Sequence, residues 1–438
     1  MVTTSPKVLI VGSGAREHAL AWRLKKSPQR PILFCAPGNG GTQQVAENIP
    51  IGETDIEALL DFAMKLKIDL TVVGPEAPLA LGLADRFLQK GLRIVGPTQR
   101  SARLETSKVY AKAFMQKHGI PTAPFEVFTS ADSAARQLEK RDYPLVIKAD
   151  GLAAGKGVFV CQSPVEAYRA IRQIMVERAF GESGDRIIIE SFLKGHEVSL
   201  IALTDGHSLC IFPPCQDHKA AYDGDTGPNT GGMGAYSPVP LVDHALERRI
   251  VEQILQPTLT GLAKEGSPFC GFLYVGLMIA DGNPMVLEFN ARLGDPETQA
   301  LMLRLDEDFL ALLLRAAEEN LSSRKIAALS DWAVCVVGAA PGYPGSYEKH
   351  LPLDRVLLFS EKEDAVIFHA GTTWDGGNGR KRLVSTGGRV LSFCARAATL
   401  EEAQKKAYSL ANGYGFERMH LRKDIGNKAR TYPHPSPP

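Results

Sequence analysis

The chain has 438 residues, 44% of them hydrophobic, with 50 basic against 49 acidic side chains and a formal net charge of +1. That length exceeds one ordinary core and calls for roughly two to four domains, and the hydrophobic share excludes wholesale disorder. A balanced charge gives no electrostatic case for nucleic acid or an anionic membrane as the main partner.

The opening MVTTSPKVLIVGSG has an apolar run too short for a signal peptide, and no run approaches the roughly 18 apolar residues of a membrane span. Seven cysteines (35, 161, 210, 215, 270, 335 and 394) are scattered without a CxxC pair, against both a disulfide framework and a zinc site. The expectation is a cytoplasmic protein with buried, reduced thiols.

In the first hundred residues KVLIVG, REHALAWRLKKS, PILFCAPG, DIEALLDFAMKLK and DLTVVGPE follow one another in the βαβαβ rhythm of a parallel sheet covered by helices. Ligands gather where such strands end, so GSGAREH, APGNGG and GPEAPL are expected to meet along one rim. GSGAREHA can offer backbone N–H groups to a phosphate, or be only a tight packing turn. It fails as a dinucleotide fingerprint: the third glycine falls at Glu17, and the second strand ends in Ala36-Pro37 without the acid that grips a ribose hydroxyl. An NAD-dependent oxidoreductase is therefore disfavoured.

From 124 to 195 the rhythm changes to a strand FEVF, a helix ADSAARQLEKR, strands PLVIKA and GVFVC around a Gly/Ala loop, a helix from Pro164 to about Arg178, and RIIIESF. A short glycine-rich connection between two strands predicts an antiparallel hairpin in a small α+β unit. The connection, KADGLAAGKGV, is not a P-loop: Asp150 stands where the first glycine belongs, and Gly157 where Ser or Thr must follow Lys156. Its glycines (Gly151, Gly155, Gly157) still predict a loop able to lie on phosphate oxygens. Period two sets Lys148 on the face opposite Ile147, as a phosphate ligand or a solvated edge lysine.

The region from 196 to about 330 contains a glycine-rich loop from Gln216 to Tyr236, QDHKAAYDGDTGPNTGGMGAY, too long to be idle inside a compact domain. Cys215 and His218 lack metal-ligand spacing and read as bystanders. GFLYVGLMIA–DGN–PMVLEFN predicts a hairpin. Glu288 and Asn290 leave one face of its second strand, a pair of hard oxygens suited to Mg²⁺, and Arg292 follows on that face to hold an anion. An ordinary Glu/Arg cross-strand pair is the alternative. After Asp331, strands WAVCVVGAA, AVIFHAG and RVLSFCARA with the helix TLEEAQKKAYSLANGY predict a separate C-terminal domain, and the tail TYPHPSPP a disordered end. No Ser-His-Asp or Cys-His arrangement is indicated.

In this order the strings REHALAW, APGNGGT, VGPEAPL, IKADGLAAGKGV, QDHK, DGDTGPNTGGMGAYSP, GFLYVGLM and EFNARLGDPETQ resemble the ATP-grasp superfamily, and within it the glycinamide ribonucleotide synthetase family. FHAGT, STGGRVL and RKDIG extend the resemblance through the last domain. It implies an α/β and α+β multidomain fold: a Rossmann-like N-terminal domain (1–103), an ATP-grasp domain (104–330) with 124–195 as its mobile ATP lid, a small C-terminal domain (331–430) and a disordered tail (431–438).

The implied activity is ATP-dependent ligation of glycine to 5-phosphoribosylamine through a glycyl phosphate, a step of de novo purine synthesis, with Mg²⁺ or Mn²⁺, by a monomer or weak dimer. Lys108, Lys148, Gly155, Lys156 and Gly157 would approach the ATP phosphates, Glu190, Phe192 and Leu193 would line the adenine slot, and Glu197 would bind ribose. Glu288 and Asn290 would hold the metal. Gly12, Gly14, Arg16, Glu17, His18 and Glu76 would receive phosphoribosylamine, with Gly231, Gly232 and Asp295 also against substrate. Asp217, Lys219, Asn229, Thr230 and Arg292 would surround the reacting groups.

The chain departs from the family at Ala15 (usually glycine) and Leu293 (usually Phe), and FLYVGLMIA lacks the further carboxylate that many ATP-grasp enzymes carry there. A non-catalytic nucleotide-binding regulator would not need metal ligands, a phosphate loop and a substrate loop together. An ATP-grasp enzyme that ligates another carboxylate or forms carboxyphosphate is disfavoured by TGPNTGGMGAYSP.

Overall fold

Strand β1 (Lys7–Gly12) is apolar on both faces, and Val8 to Val11 are wholly buried, as the centre of a parallel sheet requires. The computed structural model describes residues 5–153, 157–376 and 381–432. β2 (Ile32–Pro37), β3 (Glu47–Asn48), β4 (Leu70–Val73) and β5 (Ile94–Val95) join β1 in the order β3-β2-β1-β4-β5, all parallel. Helices α1 (Ala15–Lys25), α2 (Ile56–Leu66), α3 (Glu76–Ala80), α4 (Leu83–Gln89) and α5 (Gln99–Thr106) connect them and lead out. Strand order reverses between β1 and β4, so the crevice lies past Gly12 and Gly74, where the three expected loops do meet. The Gly38 N–H donates to the Gly12 carbonyl at 3.1 Å, and the Asn39 amide to the Ser13 carbonyl at 2.9 Å.

Helix α6 (Lys108–Lys117) leads to the second unit. There β6 (Phe125–Phe128), β7 (Leu145–Ala149), β8 (Val158–Cys161) and β9 (Ile187–Ser191) form an antiparallel sheet, order β6-β9-β7-β8, backed by α7 (Ala131–Leu138) and α8 (Pro164–Ile171). The helix expected to reach Arg178 is α-helical only to Ile171 and finishes as a π-type turn to Val176. Ile147, Ile187 and Ile189 lie in this unit's own core, with Leu138 and Ala170, which leaves Lys148 and Glu190 on the opposite face of the sheet.

The central sheet is built on the long hairpin of β16 (Cys270–Ala280) and β17 (Asn283–Asn290), turned at Asp281-Gly282, both with positive φ (49° and 75°). Asp-Gly is the pair that such two-residue turns favour. β10 (His196–Asp205), β11 (Leu209–Ile211) and β18 (Arg324–Lys325) complete the order β17-β16-β10-β11-β18, and α9 (His244–Ile250), α10 (Gln256–Lys264), α11 (Glu297–Arg304) and α12 (Phe309–Ala317) belong to the same region.

The expected long loop is largely strand: β12 (Gln216–Asp217), a hairpin of β13 (Ala220–Tyr222) and β14 (Thr226–Asn229), and β15 (Gly234–Ser237). β12 and β15 are not in the central sheet. They form one sheet with the C-terminal strands β19 (Trp332–Ala339), β20 (Ala365–His369) and β23 (Arg389–Ala397), in the order β12-β15-β19-β23-β20. A small hairpin, β21 (Thr372–Asp375) with β22 (Arg382–Ser385), and helix α13 (Leu400–Tyr414), capped by Thr399, finish the fold. The end of the chain differs from expectation at Tyr432, which is buried against His196 with ring centroids 5.0 Å apart; residues 433–438 lie outside the described residues.

Candidate active site

Lys148 rises from β7 on the face period two assigned it. Its Nζ meets Glu190 Oε1 at 2.5 Å, and Lys112 meets Glu190 Oε2 at 2.5 Å. Lys148 also donates to the Leu287 carbonyl at 3.1 Å. Leu287 is the extra residue of a β-bulge: Gly276 pairs with Glu288 and Leu277 with Val286, which turns the Leu287 carbonyl out of the ladder. Lys108 donates to the Gly151 carbonyl at 2.9 Å, at the root of the glycine-rich loop. Gly155 and Lys156 lie outside the described residues, and Gly157 is described and buried.

Glu190 differs from expectation. The adenine slot was expected to be lined by both backbone and side chain here; the side chain is buried between two lysines, under Lys148, and only the backbone is left for that role. Phe192 is exposed and Leu193 half-buried on the stretch that follows, open to a planar ligand.

Glu288 and Asn290 lie on one face of β17, as expected. Burial would raise the Glu288 carboxyl, but Lys219, Lys148, Lys108 and Arg292 outweigh it and bring it down to about 2. Lys219 Nζ lies 3.5 Å from Glu288 and 3.2 Å from Glu197, so Glu197 is an ion-pair partner here. Burial would lower the Lys219 ammonium, yet Glu197, Glu288 and Asp217 hold it well above its usual value. Asp217 is buried, and burial, set against Lys219, raises its carboxyl to about 7. The site thus holds an ionised carboxylate, a charged lysine and a carboxyl that changes state near neutrality.

For a divalent cation the fit is partial and chemically apt. Glu288 is held ionised, and Asn290 adds an amide oxygen beside it, now accepting from Arg292 at 3.3 Å. Among the described residues no group of three or more His, Cys, Asp or Glu side chains could hold a metal, and a pair of hard oxygens is a set that Mg²⁺, which keeps waters and shares substrate phosphates, commonly uses.

Arg292 reaches Glu76 at 3.2 Å and Glu105 at 3.0 Å. Burial raises Glu105 to about 7 despite Arg292, and its other oxygen accepts the Ala291 N–H at 2.7 Å. Glu76 is drawn down by Arg292 and Arg16, which outweigh its burial. Glu105 carried no sequence signal, because its partner is nearly two hundred residues away.

At the N-terminal rim two expected ligands prove structural. Glu17 turns back so that Oε2 accepts the Gly14 N–H at 2.5 Å and Oε1 meets Arg16 Nε at 2.5 Å. A carboxylate already caps the helix end where a sugar phosphate was expected, and like charges do not share it. A Cβ on Gly74 would lie 1.9 Å from Glu17 Oε1, so only glycine fits beside this carboxylate. Gly12, at φ +126°, is also crowded by Glu17, 2.7 Å from where a Cβ would stand. His18 points away from the rim: it is buried against Phe368, and its Nδ1 accepts the His369 N–H at 2.9 Å. Arg16 remains near the crevice, donating to the Leu293 carbonyl at 3.1 Å.

Thr230 is a brace for Lys219: its N–H and hydroxyl donate to the Lys219 carbonyl at 2.7 and 2.9 Å, and its hydroxyl accepts from the Gly232 N–H at 2.9 Å. Asn229 is exposed beside it. Arg389, from β23, donates to the carbonyls of Gly231 (2.7 Å) and Asp295 (2.8 Å) and lies 3.3 Å from the Asp295 carboxylate. Burial would raise Asp295, but Arg389 and Arg16 hold it below its usual value. The string STGGRVL contains Arg389, yet nothing in it announces that a C-terminal strand reaches this loop.

Models of three phosphoribosylglycinamide synthetase domains match successive stretches of the chain: the N domain over 6–105, the ATP-grasp (A) domain over 106–298 and the C domain over 333–428. The chain is 48% identical over 429 residues to a phosphoribosylamine–glycine ligase of Chlorobaculum tepidum, covering 97% of this chain and 100% of that one. It is 47% identical over 435 residues to the Escherichia coli K12 protein of that name, covering 97% and 98%. The crystal structure of a phosphoribosylamine–glycine ligase from Thermotoga maritima superposes with a TM-score of 0.83 at 36% identity, over 96% of this chain and 100% of that one.

Proposed function

The chain belongs to the phosphoribosylglycinamide synthetase family, and on that premise we propose that it joins glycine to 5-phospho-β-D-ribosylamine with ATP, forming N1-(5-phosphoribosyl)glycinamide, ADP and phosphate. This is a step of de novo purine synthesis. The observation that carries the reading is the cationic setting of β17: Lys219 lies 3.5 Å from Glu288, Lys148 donates to the adjoining Leu287 carbonyl at 3.1 Å, and Arg292 donates to Asn290 at 3.3 Å.

A carboxylate does not accept an amine directly, because oxide is too poor a leaving group. An oxygen of the glycine carboxylate therefore attacks the γ-phosphorus, the bond to the β,γ-bridging oxygen breaks, and ADP departs. The amine nitrogen of phosphoribosylamine then attacks the acyl carbon of glycyl phosphate, and the C–O bond breaks to release phosphate. The proton lost from nitrogen goes to a base, a role that the raised carboxyl of Asp217, at about 7, would suit. Lys108 and Lys148 neutralise ATP phosphate oxygens, Lys219 and Arg292 the transferring group, and no covalent nucleophile is required. A divalent cation held by Glu288 and Asn290 would supply further charge neutralisation on the phosphates.

Glu190 holds Lys148 upright, and Glu76 and Glu105 aim Arg292. Gly12, Gly14, Arg16 and Glu76 border the crevice for phosphoribosylamine, while Thr230, Gly231, Gly232, Asp295 and Arg389 shape the far wall. Seven cysteines, all free, and the absence among the described residues of any helix long and apolar enough to cross a membrane agree with a cytoplasmic setting. The deciding experiment is a coupled ADP assay omitting each substrate in turn. ADP should appear only with glycine and phosphoribosylamine both present; release that ignores either one contradicts the reading.

A further inference from the structure

The residues that flank Asp217 and Lys219 are all held from behind by the last stretch of the chain. The Gln216 amide donates to the Tyr432 hydroxyl at 3.0 Å, and His218 Nε2 accepts the Gly426 N–H at 3.3 Å. His218 is fully buried, and burial, with Lys428 and Arg422 beside it, lowers its ring to about 3, so it stands there as a neutral acceptor. In extended backbone neighbouring side chains alternate between faces. Gln216 and His218 therefore face the C-terminal segment while Asp217 and Lys219 face the site.

One arginine ties this arrangement together. Arg422 is 1% exposed, a long cation inside the protein, and all three of its guanidinium nitrogens serve to fix two segments to each other. Its Nη1 donates to the Ala220 carbonyl at 3.2 Å and to Asp225 at 2.9 Å; its Nε and Nη2 hold both oxygens of Asp424 at 2.8 Å. Asp424 in turn accepts the Gly224 N–H at 2.9 Å. Ala220 follows Lys219 directly, so its carbonyl fixes the backbone from which that lysine springs.

We infer that Arg422 is a positioning residue for the ligation, which through Ala220, Asp225 and Asp424 sets the place of Lys219 and Asp217. It touches neither substrate nor the reacting atoms. The C-terminal domain thereby takes part in the chemistry by fixing the catalytic strand. The inference rests on the proposed role of that strand, and its test separates the two.

The test compares Arg422→Ala, Arg422→Lys, Asp225→Asn and Lys219→Met in the full chain, each checked for folding by circular dichroism and thermal melting, with kcat expressed per folded molecule. Misplacement of a catalytic group by about 1 Å costs on the order of 100-fold. Arg422→Ala should lose about that much kcat with the KM for ATP unchanged, because Lys108 and Lys148 do not hang on this strand. Arg422→Lys should recover a substantial part, and Asp225→Asn, with a half-exposed side chain, should lose about tenfold. A purely structural arginine would lower the folded fraction and leave kcat per folded molecule untouched. That outcome in the Arg422 variants, with Lys219→Met inactive, overturns the inference. Should Arg422→Ala not fold, normal kcat in Asp225→Asn and Arg422→Lys overturns it equally. Normal turnover by Lys219→Met removes the proposed role of the strand itself, and the inference with it.

Discussion

Glu190 grips Lys148 at 2.5 Å on the site-facing side of the β6-β9-β7-β8 sheet, with both side chains almost wholly shut from solvent. Its other oxygen binds Lys112, so one carboxylate neutralises two buried cations. Glu190→Gln keeps the shape and removes the charge, leaving two ammonium groups uncompensated. Breaking a buried pair in this way costs about 3 kcal/mol of stability. The KM for ATP should rise by about tenfold as Lys148 loses its fixed position. Denaturant unfolding and initial-rate kinetics give both numbers, and an unchanged midpoint with unchanged KM would rule this role out.

Glu288→Gln should leave the fold intact, because the side chain is part-exposed, and should lower kcat by about 100-fold or more. Two effects combine: the hard anionic oxygen beside Asn290 is lost, and Lys219 loses its ion pair with Glu288 while keeping the one with Glu197. Turnover is measured at saturating Mg²⁺. Near-normal rates there contradict the assignment.

Asp217 sets an expected pH limb. Its carboxyl is raised to about 7, so it is protonated below that pH and ionised above. If the carboxylate accepts the amine proton, kcat falls as pH drops through about 7, tenfold per unit well below it. Asp217→Asn should abolish this limb together with most of the rate. A wild-type profile flat from about pH 5.5 to 8 excludes Asp217 as the base.

Stability has its own pH dependence at the contact between α1 and β20. Burial holds His18 well below its usual value, and burial lowers His369 to about 4. Between about pH 4 and 6.5 the unfolded chain takes up protons on these rings that the folded chain refuses. Unfolding free energy therefore rises with pH through that window, by at most about 1.4 kcal/mol per unit for each ring. His369→Gln should remove one ring's share of the slope, since His218, also depressed, contributes separately. A variant slope equal to that of the wild type disposes of the claim.

The parts legible in the sequence were those with local causes. Alternation set Lys148, Glu288 and Asn290 on the right faces, and Asp281-Gly282 marked its hairpin. β1, α1, β2, α2 and β4 followed from apolar runs and helical periodicity, whereas β3 and β5 are two residues long and carry no pattern of their own. Glu17 was legible in principle. An acid three residues after an N-cap is a capping pattern, but the Gly14 cap hides it because glycine brings no side chain. The Glu190–Lys112, Glu105–Arg292 and Arg389–Asp295 pairs depend on chain segments brought together only by the fold, and residue spacing says nothing of them. The same holds for the loop from 216 to 236, whose glycines and acids suggest irregular backbone until a distant strand offers itself as a ladder.

That ladder makes the family's domain divisions poor places to cut. β15 pairs with β19 from Gly234–Val336 to Ser237–Ala333, so scission near residue 330 would give two fragments, each with an unfinished sheet edge. An uncovered edge of this kind invites pairing with other chains. The larger fragment, made alone, should aggregate; co-expressed with residues 331–438, it should re-form the missing ladder and regain the strand that carries Arg389. Split-protein complementation, with ligation as its readout, is the behaviour this shared sheet builds into the chain.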